Sequence, residues 1–207
     1  MIVKERFTRH FSQGVAVEML LVSRMLIGAV FCFFTLGAAT AWAEDAKTIR
    51  QYQFEPVSGS YDLVMKNVPR PVAGDNEVLV RVRATSLNRR DLNMLRRKYD
   101  ERYSMAGGIP LSDGAGEVIA VGPGVTRFEV GDRVAGIFFE KWIEGPPSEE
   151  SLGSDRGGNT GGMLSEIVVT NEEGLVAIPE HLSYEEAATL PCAAVTAWVG
   201  LFKRGRI

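Results

Sequence analysis

The stretch Glu77-Val78-Leu79-Val80-Arg81-Val82-Arg83-Ala84 constrains the fold more than any other, because it follows the two-residue period of a strand. Val78, Val80 and Val82 point one way, while Arg81 and Arg83 share the opposite face with Leu79. This predicts one face on the core and one toward solvent. Shorter runs of the same kind lie on both sides. Gln51–Glu55 and Tyr61–Lys66 read as early antiparallel strands, and Val68-Pro69-Arg70-Pro71-Val72 is too rich in proline for a central one. Glu117–Gly122 and Leu164–Val169 read likewise, and Phe128–Gly136 reads as a turn followed by a short strand, with glycine turns between the runs. Many short strands with such turns predict a mainly β architecture, a closed or partly open barrel.

Three segments break the strand pattern. Asn88–Leu95 has room for one or two helical turns, with Asp91, Leu92 and Leu95 at spacings of three or four. Ser183 followed by Glu186 forms a capping-box signature, predicting a helix through Leu190, and a further helix is expected from near Pro191 to Lys203. Phe138–Met163 is long for a connection and reads as a surface or site-bordering loop.

The N-terminus has a different character. Nineteen uncharged residues, Met25–Ala43, follow Arg24 and close on Ala41-Trp42-Ala43 before Glu44-Asp45. A positive start, an apolar core and small residues at the last and third-last positions predict an export signal cleaved near Ala43. That would make the protein periplasmic or secreted; an uncleaved membrane anchor or a cytoplasmic extension are the alternatives. The expected organisation is a leader at 1–43, a polar lead-in and first strand at 44–54, a catalytic domain at 55–190, and a helix at 191–207 leading toward another domain.

Composition narrows the chemistry. The 207 residues carry 23 basic and 26 acidic side chains with no basic block, which argues against a nucleic-acid partner. Beyond residue 43 only Cys192 and His181 remain of their types, too few for a zinc site without heavy use of carboxylates. His181 reads as a turn residue. Cys192 reads mainly as a small packed side chain; its place at an expected helix start, where a helix dipole could lower a thiol pKa, offers a nucleophilic role as the alternative, although no histidine neighbours it in sequence. Neither Gly107-Gly108 nor Gly114-Ala115-Gly116 makes a dinucleotide fingerprint, because a strand follows instead of a helix. The turn Ser86-Leu87-Asn88-Arg89-Arg90-Asp91-Leu92 gathers an amide, two guanidinium groups and a carboxylate just after a strand. Local physics leaves two roles open: Asp91 capping or pairing within the turn, and Asn88 orienting a carbonyl or carboxamide.

That turn, together with Pro110–Val118, Gly131-Asp132-Arg133-Val134 and Pro179–Trp198, resembles the medium-chain dehydrogenase/reductase superfamily over about residues 55–207. It looks most like the zinc-independent branch labelled quinone oxidoreductase-like or zinc-type alcohol dehydrogenase-like. The resemblance implies a GroES-like, partly open barrel with short peripheral helices, followed in whole proteins by a Rossmann domain. It implies hydride transfer from NADPH or NADH to a small-molecule carbonyl, quinone or activated alkene. Where zinc members carry a cysteine and a His-Glu pair, this chain has Leu87-Asn88 and Ser112-Asp113, so no zinc is expected.

By the same resemblance Asn88 lies near nicotinamide and substrate, Thr196 approaches the cofactor, Phe138 and Trp142 border the substrate pocket, and Asp91 supports the Asn88 loop. The Rossmann domain is absent from the sequence up to Ile207. The chain alone is therefore expected to be inactive and to bind no nicotinamide cofactor tightly. Val195, Trp198, Val199 and Phe202 should then be partly exposed and favour self-association. The competing expectation is an exported noncatalytic binding module, or a nonfunctional truncated reductase.

Overall fold

The computed structural model of the protein describes residues 47–98 and 105–205, all within one compact unit that begins at Ala46. The expected leader at 1–43 lies outside the described residues. Among those described, no helix is long and apolar enough to cross a membrane.

Among the described residues seven strands form two sheets. Strands β1 (Thr48–Val57) and β2 (Ser60–Pro69) make an antiparallel hairpin with Tyr52 opposite Met65. The other five are β3 (Glu77–Ser86), β4 (Asp113–Val121), β5 (Arg133–Gly136), β6 (Ile167–Asn171) and β7 (Leu175–Ala177), in the order β6-β3-β4-β5-β7. This is the mainly β, partly open barrel with short helices at its periphery. Backbone bonds from Tyr52 to the Leu164 carbonyl and from Glu166 to the Arg50 carbonyl tie the hairpin to the chain entering β6. The first strand therefore runs through the expected boundary at residue 54 and pairs with β2 beyond it.

Valines fill the sheet's main core. Val78, Val80, Val118 and Val134 are fully buried and pack with Met163, Val168 and Leu175. Each such side chain contributes about 1.5–3 kcal/mol by leaving water. The expectation of a solvent face on β3 fails in its first half, because Leu79 is buried with Ile49 and Ile167 where the hairpin covers it. Alternation on one strand does not reveal that a second sheet layer arrives from elsewhere. The second half behaves as expected, with Arg83 exposed and paired to Glu117 at 2.8 Å.

Strand β4 starts earlier than the pattern of apolar residues suggested, and includes Gly114-Ala115-Gly116. A Cβ on Gly116 would lie 2.2 Å from the Arg81 carbonyl oxygen, so a bare backbone is what lets β3 and β4 meet beside their register shift. Helix α1 (Arg89–Leu95) forms where expected, but its inward face is Arg90, Asp91 and Met94, while Leu92 is exposed. The buried side is thus mostly polar, which an apolar stripe cannot report.

A one-turn helix, α2 (Glu149–Leu152), lies inside the long loop and is capped by Ser148, whose hydroxyl accepts the Ser151 N–H at 3.1 Å. Helix α3 (Tyr184–Ala188) starts at the expected Ser183 cap but stops short of Leu190. Ala187 and Ala188 pack against Ala115 and Ala135, small residues that let the helix approach the sheet closely. From Leu190 to Arg204 the chain stays helical, with wide π turns at Leu190–Ala194 and Val199–Arg204 around α4 (Val195–Trp198). Its apolar side chains are open to solvent, including Trp198 at 57% and Phe202 at 47%.

Candidate active site

A cleft of about 870 Å³ opens beside strands β5 and β7 at one end of the sheet, the start of the long loop and the C-terminal helical segment. The strands contribute Ala135, Gly136, Leu175 and Ala177; the loop contributes Phe138, Phe139, Trp142 and Ile143. Cys192, Val195, Thr196 and Val199 come from the C-terminal segment, and Arg90 reaches in from α1. An apolar wall with a few polar groups is the usual chemistry of a small-molecule site.

Three of the residues singled out from the sequence thus share one cleft: Phe138, Trp142 and Thr196. Asn88 does not line it. It sits at the N-cap of α1, where its backbone N–H donates to the Asp91 carboxylate at 2.7 Å. Asp91 therefore holds the Asn88 turn. Burial pushes its carboxyl up, and the Asn88 N–H partly opposes that. The Asn88 Nδ2 and Asp91 Oδ1 are buried without a hydrogen-bond partner among the described residues, leaving a donor and an acceptor free at this turn.

Ser112 and Asp113 lie at the start of β4, fully buried. The Ser112 hydroxyl donates to Asp113 Oδ1 at 2.7 Å, and the Cys192 backbone N–H donates to Asp113 Oδ2 at 3.0 Å. One carboxylate thereby joins the sheet to the first turn of the C-terminal segment. It also bears on Cys192, whose thiol is pushed up by burial and, secondarily, by Asp113. Burial and the Asp113 carboxylate therefore act against any lowering of the thiol pKa by the helix start. Leu111, just before this pair, is buried with φ +71. His181 is exposed in the turn before α3.

Behind the aromatic wall lies a polar network that sequence reasoning missed. Arg90 is ion-paired with Asp155 and donates to the Arg156 carbonyl at 2.9 Å. Asp155 also accepts from Asn159 at 2.8 Å. Arg156, 1% exposed, pairs with Glu140 at 2.7 Å and donates to Thr170 Oγ1 at 3.0 Å and to the Gly174 carbonyl at 3.2 Å. Burial lowers the pKa of its guanidinium, and Glu140 opposes the shift. The available signal was a charged pair, Asp155-Arg156, set against Gly157-Gly158 inside a loop that already carries a helix cap. Among the described residues no group of three histidine, cysteine, aspartate or glutamate side chains is placed to hold a metal ion.

Residues 74–180 match the alcohol dehydrogenase GroES-like domain. The chain belongs to that family. With it the chain joins the medium-chain dehydrogenase/reductase superfamily, as its N-terminal GroES-like domain. It is 44% identical over 126 residues to a zinc-type alcohol dehydrogenase-like protein of Schizosaccharomyces pombe, a match covering 61% of this chain and 36% of the relative. A 2-methylene-furan-3-one reductase of Solanum lycopersicum is 33% identical over 149 residues, covering 71% and 35%. A solved chain from Sinorhizobium meliloti, named as an alcohol dehydrogenase, superposes with a TM-score of 0.70 at 38% identity over 79% of this chain and 48% of that one. The matched region spans less than half the length of each of these relatives. The matched residues carry the sheet and aromatic-loop walls of the cleft, and the wall made by Cys192, Val195, Thr196 and Val199 follows them in the chain.

Proposed function

We propose that this chain supplies the substrate-facing half of a nicotinamide-dependent, zinc-independent oxidoreductase acting on a carbonyl, quinone or activated alkene. The observation that carries the reading is the cleft itself, which gathers Phe138, Trp142 and Thr196 on an apolar wall. The tomato relative's name, a reductase of a methylene-furanone, supports a conjugated carbonyl as substrate class. Ser112 and Asp113 are committed to each other and to the Cys192 backbone, which supports a site without a metal at that position.

The fit to a nicotinamide ring rests on the cleft's size, its apolar lining and the Thr196 hydroxyl at its side. When bound, the reduced cofactor supplies hydride. Thr196 and Val199 would hold the ring against the C-terminal segment, and Phe138, Phe139 and Trp142 would exclude water from the reacting face. Exclusion of water strengthens any hydrogen bond to a carbonyl oxygen on which charge develops. Asn88, with its unpartnered Nδ2, reaches such an oxygen only by turning its side chain toward the cleft.

Two measurements test this. Steady-state reduction of 1,4-naphthoquinone or 2-cyclohexenone by the native gene product, with NADPH or NADH, should persist in EDTA; loss in EDTA with recovery on adding zinc would overturn the metal-free reading. Calorimetry of residues 44–207 should show only weak nicotinamide binding, and submicromolar affinity would refute a cofactor site lying mainly in another domain. The leader supports export, for which the mass of the native protein gives the check: a chain starting at Glu44 agrees, and one starting at Met1 does not.

A further inference from the structure

The aromatic wall of the cleft is not held by its own packing alone. Phe138 and Phe139 stand on a backbone ladder with residues 154–156: the Arg156 N–H donates to the Phe138 carbonyl at 2.8 Å, and the Glu140 N–H donates to the Ser154 carbonyl at 3.1 Å. The Trp142 N–H then donates to the Phe139 carbonyl at 3.2 Å, and its indole N–H donates to the Gly145 carbonyl at 3.1 Å. Ring contacts continue the chain, with centroids 4.7 Å apart for Phe138 and Phe139 and 5.6 Å apart for Phe139 and Trp142.

The other side of that ladder is gripped from α1. Arg90 binds both the Asp155 carboxylate and the Arg156 carbonyl, and its guanidinium lies over the Phe138 ring, 4.7 Å from the centroid. A guanidinium has the planar fork this needs: one edge meets the carboxylate and carbonyl while the face meets the ring. Low exposure of Arg90 and Asp155, at 7% and 1%, removes solvent screening from the pair.

We infer that Arg90 is a positioning residue for the substrate, setting where the Phe138 ring stands in the cleft by gripping Asp155 and the Arg156 carbonyl behind it. This rests on the reading of the cleft as the substrate site. Arg90 belongs to the same turn as Asn88 and Asp91, so the element that begins the site also sets its far wall. The ligand favoured by the wall is planar and apolar, of the size of a fused-ring quinone or aryl enone, since flat rings stack on Phe138 and Trp142 where a short aliphatic carbonyl finds little contact.

The test uses the full chain carrying 4-fluorophenylalanine at position 138, with Trp42 and Trp198 replaced by Phe so that Trp142 alone reports 1,4-naphthoquinone by quenching. Arg90→Lys keeps the charge and loses the fork; Asp155→Asn keeps the shape and loses the charge; Asn159→Ala loosens Asp155 from outside and is the mildest of the three. Each should move the fluorine resonance, with Arg90→Lys and Asp155→Asn not adding in the double variant. Naphthoquinone binding should weaken at least about tenfold in the first two, since small misplacements in a site are costly. Ser183→Ala lowers stability without touching the wall, and should leave resonance and quenching as they were.

An unmoved fluorine signal in Asp155→Asn and Asn159→Ala, with the chain folded, overturns the inference. So does a Ser183→Ala chain that shifts the signal equally, because the effect would then be loss of stability alone. If the parent chain shows no saturable quenching while the resonance still moves with Arg90, the reading of the cleft as a substrate site fails and Arg90's hold on Phe138 stands.

Discussion

The valine core of the sheet and the Asp155-Arg156 pair behind the cleft are buried to the same degree by opposite means. Val78, Val80, Val118 and Val134 meet side chains that need no partner, so their stability follows from area and shape. Arg156, Asp155 and Glu140 must each find donors or acceptors, and every one removed leaves another exposed to a medium that cannot solvate it. The first region tolerates small losses in proportion to volume. The second loses stability according to which partner is left unpaired.

The sharpest break of that contrast is Arg156→Ala. It removes the ion-pair partner of Glu140, which keeps only the Thr170 hydroxyl, and takes a donor from Thr170 and the Gly174 carbonyl, and should cost about 3–5 kcal/mol. Glu140→Gln should cost less, because Arg156 keeps its carbonyl partners. Urea midpoints at constant m-value measure both. Equal losses in the two would mean that the ion pair, rather than the carbonyl contacts, dominates the network.

Met163→Ala probes the apolar region. Met163 is fully buried against the valines, and truncation should cost about 2–5 kcal/mol, the loss expected from transfer plus cavity. Met163→Leu, of similar volume, should recover most of it; if it does not, the core is as exacting as the polar loop and the contrast falls.

The smallest effect is electrostatic and lies at the surface. Glu166 is held below its ordinary carboxylate range by the Arg50 side chain, and Arg50 is raised in turn. A depressed folded pKa means that the pair's contribution is present above the unfolded glutamate value and disappears as pH falls through the folded one. Asp91, raised by burial, runs the other way: its contribution is present at low pH and is lost as pH rises through its folded value. Glu166→Gln should therefore flatten the acid limb of stability against pH, and added salt should mimic it because both partners are exposed. An unchanged acid limb would show the pair contributes nothing measurable.

The same division decides what could be read from the sequence. Strands announced themselves where valines alternate, and the Ser183 cap announced α3, because both signals are local. The cover over Leu79 could not be seen on β3, since Ile49, which supplies it from the first strand of the hairpin, lies thirty residues away in sequence. Phe138, Trp142 and Thr196 came from family resemblance, and the structure draws them to one cleft. Asn88, raised by its place in the Ser86–Leu92 turn and by the same resemblance, stands outside the lining. Arg90, its neighbour in the motif, lines the cleft instead. Its partner Asp155 is sixty-five residues on, and nothing periodic links them. Polar burial is specific to pairs, and pairs distant in sequence leave no pattern in a single chain.

Leu111 limits how this corner can drift. It is buried at 2% with φ +71, next to Ser112-Asp113, and its carbonyl accepts the Met163 N–H at 2.8 Å. Glycine would relieve a backbone cost of about 1–2 kcal/mol, yet it would forfeit about 1.5–3 kcal/mol of buried leucine. Valine or isoleucine would keep the bulk and worsen the backbone. Across the same seam Gly162 has no latitude, since a Cβ there would lie 2.0 Å from the Pro110 carbonyl oxygen. Lineages that vary the aromatic wall freely would thus inherit this seam almost unaltered, and the site's diversity would be written on one side of the cleft only.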